Sequence, residues 1–369
     1  MYQHARRISA SLLAIAMLVA GSVLAASGQS TATVPVPSAP QKPKATAPVP
    51  PKPAPTATTT TTTTAKPATI SRTELARQRT AAKAKQAALD RQQREANASG
   101  FKRDSLGNLV PDVHAAAAIV FNPQTNEVLF EANSHDQRAI ASLTKVMTAV
   151  TFIADDPDLR QDVLVMRSDV LNASVTYLKA GDRLSLGDVL HLALIPSDNG
   201  AARVLARIAE GGTAAFIVRM NEMARQLGLS DTHYADPTGL DSSNVSSAFD
   251  YSHLISFAVQ NERLGPVMRT QEYEVRPVNR AAFTIHSTNK LLGTDVDVRG
   301  GKTGFIAKAG YCLATLLQIP QGNQVAVVVL GAANSATRFG TARLLFNWVV
   351  GRAQGVVGGG DDDDKNHKQ

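Results

Sequence analysis

The sequence predicts an α+β domain in which one antiparallel sheet, built from both ends of the folded region, carries an all-helical lobe inserted between its halves. Three observations carry this expectation. An apolar hairpin stands near residue 120, runs with helical periodicity fill residues 140 to 261, and short β-prone runs separated by Gly, Pro or Asn return after Gly265.

The hairpin is "AAAAIVFNPQTNEVLFEAN", two apolar strands around a turn containing Asn122, Pro123 and Asn126. "IASLTKVMTA", residues 140 to 149, then opens a helix with Ile140, Leu143, Val146, Met147 and Val150 on one stripe. Further helices are expected at about 188–195, at 200–209 stopped by Gly211-Gly212, at 214–227 stopped by Gly228, and at 250–261. The late strands are "QEYEVRP", "AAFTIHS", "RGGKTGF", "YCLATLLQIP" and "QVAVVVLGAA", the last two joined through Gln321-Gly322-Asn323. A closing helix, "ATRFGTARLLFNWVVGRA", offers Phe339, Leu344, Leu345, Trp348 and Val349 to the sheet.

Composition sets the domain boundaries. Residues 1–25 have a basic start, an apolar stretch from Ala10 to Leu24 and small residues around Ala25, which is the pattern of a secretory signal peptide. Residues 26–69 contain almost nothing large and apolar and read as a disordered Pro/Thr/Ala-rich linker. Residues 70–103 form a basic, helix-prone tether, 104–352 the folded domain, and 353–369 a charged tail after a glycine hinge. About 17 residues follow Arg352, which leaves no room for a second β-rich domain.

The net charge of +7 sits largely in the tether. In an exported protein such an arm is expected to meet an anionic envelope polymer or membrane surface rather than nucleic acid. Cys312 is the single cysteine, so no intramolecular disulfide forms. The eight histidines lack a metal-binding spacing, and neither a metal nor an organic cofactor is expected.

Three short motifs carry the chemistry. Ser142 and Lys145 lie three apart on a helical face, about 5 to 6 Å at Cβ, so the amine reaches the hydroxyl. Serine needs a base to take its proton as it attacks, and a lysine serves once burial and a second cation bring its pKa toward neutrality. Ser197-Asp198-Asn199 occupies a short turn between two helices, with Ser197 and Asn199 facing a cleft. Lys302-Thr303-Gly304 lies on a strand whose glycines let a ligand or another backbone approach closely.

Ser-x-x-Lys, Ser-Asp-Asn and Lys-Thr-Gly in this order are the set shared by β-lactamases and penicillin-binding proteins. Together with "HYADPTGLDSSNVSSAFD", "STNKLL" and "KTGFIAKAGYCLA", they make residues 104–352 resemble the low-molecular-mass penicillin-binding proteins, the serine D-alanyl-D-alanine carboxypeptidases and endopeptidases. The resemblance implies a β-lactamase/penicillin-binding-protein-like fold, peptidoglycan stem peptides as substrate, covalent inhibition by β-lactams and a periplasmic location.

The resemblance also implies roles. Ser142 attacks the carbonyl between two D-alanines, Lys145 takes its proton, and Ser197 relays a proton to the leaving amine. Asn199 positions Lys145 and the substrate amide, while Lys302, Thr303 and Gly304 line the substrate, Lys302 and Thr303 meeting its carboxylate. The oxyanion sits between the N–H groups of Ser142 and Phe305, and Arg338 matches an arginine near the site that serves substrate binding or its electrostatics. The missing C-terminal domain and "DPTGLDSSNVSSA" resemble the endopeptidase branch, which cuts cross-links. Two other readings stay open. A class A β-lactamase would need a glutamate where residues 230–244 offer only Asp231, Asp236 and Asp241; a non-catalytic peptidoglycan-binding module would keep the fold as a scaffold.

Overall fold

The computed structural model describes Thr80 and residues 83–87, 100–107, 109–320 and 322–358, the last five as backbone only. The expected signal peptide and linker, and residues 359–369 of the tail expected at 353–369, lie outside these residues; residues 353–358, expected to belong to that tail, instead continue the closing helix. Within the basic tether, Thr80 and residues 83–87 are helical and exposed. Residues 101–103, expected to end the tether, instead form β1 (Phe101–Arg103), which pairs with β2 (Leu109–Pro111).

The first hairpin is β3 (Ala117–Asn122) and β4 (Glu127–Ala132), its tight turn held by Asn122, whose side-chain oxygen accepts from the Gln124 and Thr125 amides. After β5 (Arg138–Ala139) a 3-10 turn, Ala141–Thr144, leads into α1 (Lys145–Ala154). Next come β6 (Asp162–Leu164), α2 (Arg167–Val170), β7 (Arg183–Ser185), α3 (Leu186–Leu194), α4 (Asn199–Ile208) and α5 (Gly212–Gln226). They are followed by β8 (Val245–Ser246), α6 (Ala248–Gln260) and α7 (Gly265–Met268). The chain then forms β9 (Glu272–Val275), β10 (Phe283–His286), β11 (Val298–Ile306), β12 (Gly310–Gln318), β13 (Gln324–Ala332) and α8 (Ser335–Gly358).

The principal sheet has the order β11-β12-β13-β3-β4, antiparallel throughout, so the early hairpin and the late strands do join. Not every late strand enters it. β9 and β10 pair only with each other as a separate ribbon, and that corrects the expectation of one sheet for all β-prone runs. Their sequences alternate apolar with polar or charged residues, a pattern suited to one buried face, whereas β12 and β13 are almost continuously apolar because both faces are covered.

Alternation along the strands divides the core. Ala117, Ile119 and Phe121 of β3, Ala326, Val328 and Leu330 of β13, and Cys312, Ala314 and Leu316 of β12 lie on the face covered by α6 and share one apolar cluster with residues of α1 and α3. The opposite set, Ala118 and Val120, Val325, Val327 and Val329, and Leu313 and Leu317, faces α8. On α8 the buried apolar positions are Ala342, Leu345, Phe346 and Val349, while Leu344 is half-buried; the stripe therefore runs through Phe346 rather than Leu344. Residues 145 to 153 of α1 are buried on every side, not on one stripe. That central position places Lys145 in the interior.

Candidate active site

The segment that carries Ser142 is bent and tightly held. Ala141 has φ +51°, a left-handed conformation that costs a non-glycine residue about 1 to 3 kcal/mol and persists only where its surroundings dictate it. The surroundings do so here. The Ile140 amide donates to the Asn244 carbonyl at 3.1 Å, the Thr144 hydroxyl to the Ala141 carbonyl at 2.8 Å, and the Tyr251 hydroxyl to the Leu143 carbonyl. Gly304 of β11 passes so close that a Cβ there would stand 2.8 Å from the Ile140 oxygen and 3.1 Å from the Ser142 amide nitrogen. The glycine expected to admit a neighbouring backbone admits that of the Ser142 turn.

Lys145, at the start of α1, is fully buried. Its Nζ lies 3.0 Å from Ser142 Oγ, 2.6 Å from Asn199 Oδ1 and 2.7 Å from the Thr238 carbonyl oxygen. Burial pushes the amine down to about 7; Asp236 and Asp198 oppose that shift, and Arg203 adds to it. The assisting cation here is thus Arg203 of α4. Lys302 is buried as well, and desolvation followed by the nearby Lys145 and Arg338 charges holds its amine well below the usual lysine range.

Ser197 has φ +69°, so the turn between α3 and α4 is also left-handed at its tip. Asp198 caps α4, accepting from the Ala201 amide at 2.9 Å, and accepts from the Tyr177 amide at 2.5 Å; burial pushes its carboxyl up. Asn199 Nδ2 donates to the Ala173 carbonyl at 2.7 Å, which turns its Oδ1 toward Lys145. From β11, Lys302 Nζ donates to Ser197 Oγ at 2.7 Å and to the Thr303 carbonyl at 2.9 Å. Thr303 Oγ1 lies 2.6 Å from Thr288 Oγ1, and Phe305 is half exposed with its ring 4.3 Å from that of Tyr311.

The three motifs therefore converge through two amines. Lys145 joins Ser142 to Asn199, and Lys302 joins Ser197 to its own strand. Arg338 departs from a substrate-facing position: it is 7% exposed, and its guanidinium donates to the carbonyls of Gly304 at 3.2 Å and Cys312 at 3.0 Å. It supports the peptide that precedes the Phe305 amide. Cys312 is buried, and desolvation pushes its thiol up to about 11, so it is an inert strand residue. His191 stacks on Tyr273, and His253 packs against Phe121 and Phe249, as core histidines do.

Sequence reasoning missed the Thr238 carbonyl and the Tyr251 hydroxyl as parts of this assembly. A backbone carbonyl has no residue-type signature; the one available signal was the turn-forming "DPTG" at 236–239. Among the described residues no group of three His, Cys, Asp or Glu is arranged to hold a metal.

Known proteins are similar to this chain over the residues that build the site. The D-alanyl-D-alanine carboxypeptidase family model matches residues 105–334. The chain is 32% identical over 244 residues to a D-alanyl-D-alanine endopeptidase of Escherichia coli, covering 65% of this chain and 78% of that protein. A D-alanyl-D-alanine endopeptidase of Pseudomonas aeruginosa is 32% identical over 246 residues, covering 65% and 79% respectively. The crystal structure of a Streptomyces DD-transpeptidase matches with a TM-score of 0.61 and 26% identity, covering 64% of this chain and 97% of that one. The segment so matched holds the buried amines, the bent serine turn and the five-stranded sheet, and the chain belongs to the D-alanyl-D-alanine carboxypeptidase family.

Proposed function

We propose that this chain is a serine-type D-alanyl-D-alanine peptidase that works on peptidoglycan stem peptides through an acyl-enzyme, cutting cross-links as a DD-endopeptidase with carboxypeptidase activity beside it. The observation that carries this reading is the 3.0 Å approach of Ser142 Oγ to an amine that burial brings to about 7. Near neutral pH a substantial fraction of that amine is uncharged and able to accept the serine proton.

In the acylation step Ser142 Oγ bonds to the carbonyl carbon as its proton passes to Lys145 Nζ, and the carbonyl electron pair moves to oxygen. The Ser142 and Phe305 amides receive that oxyanion, a contact typically worth about 10² to 10³ in rate. As the carbonyl re-forms and the peptide bond breaks, Ser197, held by Lys302, passes its proton to the leaving nitrogen and the proton gained by Lys145 replaces it, which leaves both groups as they began. Lys302 and Thr303 attract the substrate carboxylate, Asn199 positions Lys145, and Arg338 steadies the Gly304 carbonyl from behind. Water then releases the acyl group. The similarity to proteins named endopeptidases supports the cross-link as substrate. The signal-peptide pattern of residues 1–25 supports export to the periplasm, and the basic segment that precedes β1 would hold the enzyme near anionic envelope material.

Mass spectrometry after exposure to labelled penicillin tests the reading directly. A long-lived adduct on Ser142, absent in Ser142→Ala, is expected; rapid penicillin hydrolysis without a lasting adduct would instead make the protein a β-lactamase. Digestion of cross-linked muropeptides then separates the two peptidase activities, since loss of terminal D-alanine with no monomer released would exclude the endopeptidase.

A further inference from the structure

The amine of Lys145 has three neighbours, and their chemistry determines where its lone pair can point. A neutral amine has two N–H groups and one lone pair. Asn199 Oδ1 and the Thr238 carbonyl have no proton to give, so each accepts one N–H, at 2.6 and 2.7 Å. The lone pair that remains faces Ser142, the neighbour whose hydroxyl proton must leave. Any change that removes the Thr238 carbonyl frees an N–H and lets the lone pair turn away from the serine.

We propose, on the basis of the peptidase reading above, that Asp236 is a positioning residue for Lys145: its carboxylate folds the turn that presents the Thr238 carbonyl to the amine and supplies a negative charge that the amine senses. Four donors of its own loop meet this carboxylate. The Gly239 amide donates to Oδ1 at 2.7 Å and the Thr238 amide at 3.2 Å, the Thr238 hydroxyl donates to Oδ2 at 2.6 Å, and Asn244 Nδ2 also donates to Oδ1. Asn244 returns the support by accepting from the Ala235 amide at 2.7 Å.

The turn so formed is clamped to the nucleophile helix on both sides of Thr238. The Thr148 hydroxyl of α1 donates to the Pro237 carbonyl at 2.7 Å. Gly239, at φ +82°, lies against the strained Ala141, where a Cβ would stand only 1.9 Å from the Ala141 oxygen. Thr238 thus sits between two fixed contacts with its carbonyl facing inward. One loop holds the bent serine turn and orients the base together.

The charged groups facing Lys145 come from three elements. Asp198 and Arg203 belong to the start and body of α4, Lys302 to β11, and Asp236 to the loop after α5. Among them Asp236 is the largest influence that raises the proton affinity of the amine, against burial. Removing its charge therefore lowers that affinity and moves the acid limb of acylation to lower pH, a change that a purely structural residue would not produce.

The experiment is the second-order rate of benzylpenicillin acylation as a function of pH, with folding checked by thermal unfolding. In wild type the rate falls as pH drops below about 7. Asp236→Asn keeps an oxygen for the Gly239 amide and is expected to fold, with its acid limb displaced toward lower pH and its plateau reduced about tenfold, a part of what general-base catalysis supplies. Asp236→Glu, which keeps the charge, is expected to leave the limb in place. An Asp236→Asn limb that coincides with wild type overturns the inference, whatever the plateau. If the wild-type protein is not acylated at all, the peptidase reading falls and takes this inference with it.

Discussion

The two faces of the principal sheet bury similar numbers of aliphatic side chains but do different work. On the α8 face, Leu313, Leu317, Val325, Val327 and Val329 meet Ala342, Leu345, Phe346 and Val349, an assembly of apolar groups packed for stability. On the other face, Ile119, Leu316 and Val328 lie beneath α6 and join the cluster that contains α1, and the buried residues of this lobe include Lys145, Thr148, Asp198, Asn199, Asn244, Asp250 and Lys302. Burying two amines is costly, because each loses hydration that its neutral hydrogen-bond partners replace only in part. The apolar face supplies stability that the polar face spends on a reactive arrangement. Removing a group should therefore have opposite consequences on the two sides.

The sharpest way to break this comparison is Lys145→Met. Loss of the base is expected to lower penicillin acylation by about 10² to 10⁴, measured by stopped-flow or mass spectrometry, while thermal stability rises. Folding depresses this amine to about 7, below its ordinary value near 10.5, so between those values the unfolded chain holds more protons and wild-type stability increases with pH. The cost that the lysine imposes is thus greatest at and below pH 7. Differential scanning calorimetry should find the gain in Tm of Lys145→Met larger at pH 6 than at pH 9. A variant less stable than wild type at both would show that the amine is a net support of the fold.

Gly304→Ala acts on the seam where the polar face meets the edge strand. Its Cβ would press on the Ile140 oxygen, forcing β11 away from the serine turn and displacing the Phe305 amide relative to Ser142. Misplacement on this scale costs about 10² in rate. Acylation kinetics on folded protein should record that loss, with the Lys302 to Ser197 contact still present in a crystal structure. An unimpaired rate would mean that the Phe305 amide does not serve the oxyanion.

Leu345→Ala is the counterpart on the α8 face and should leave acylation per folded molecule nearly unchanged. Its side chain is fully buried against the sheet, and truncation is expected to cost about 2 to 5 kcal/mol in chemical denaturation. A large change in acylation rate at temperatures where the variant is folded would show that the two faces are mechanically coupled, and the division of labour drawn here would fail.

The legible parts of this protein are those that short-range geometry dictates. Ser142 and Lys145 are neighbours because they are one turn apart, Asp198 caps α4 because of its place before a helix, and β12 and β13 pair antiparallel as consecutive strands. Phe346 was harder to place than Leu345, since adjacent apolar residues at a helix border are separated only by the angle at which the helix meets the sheet. The direction of Arg338 was hidden for a similar reason. A guanidinium near a site can face substrate or backbone, and here the Gly304 and Cys312 carbonyls were the buried acceptors in reach.

Residue order alone determined which hydroxyl and which amine would be adjacent, because three positions along a helical turn leave them no other distance. The charge state of that amine was decided only in three dimensions. Its desolvation sums the water excluded by a central helix, an edge strand and a distant loop, and its orientation depends on Asn199 and Thr238, which reach it from far along the chain. Chain connectivity brings two atoms within reach; the dielectric around them belongs to the whole fold.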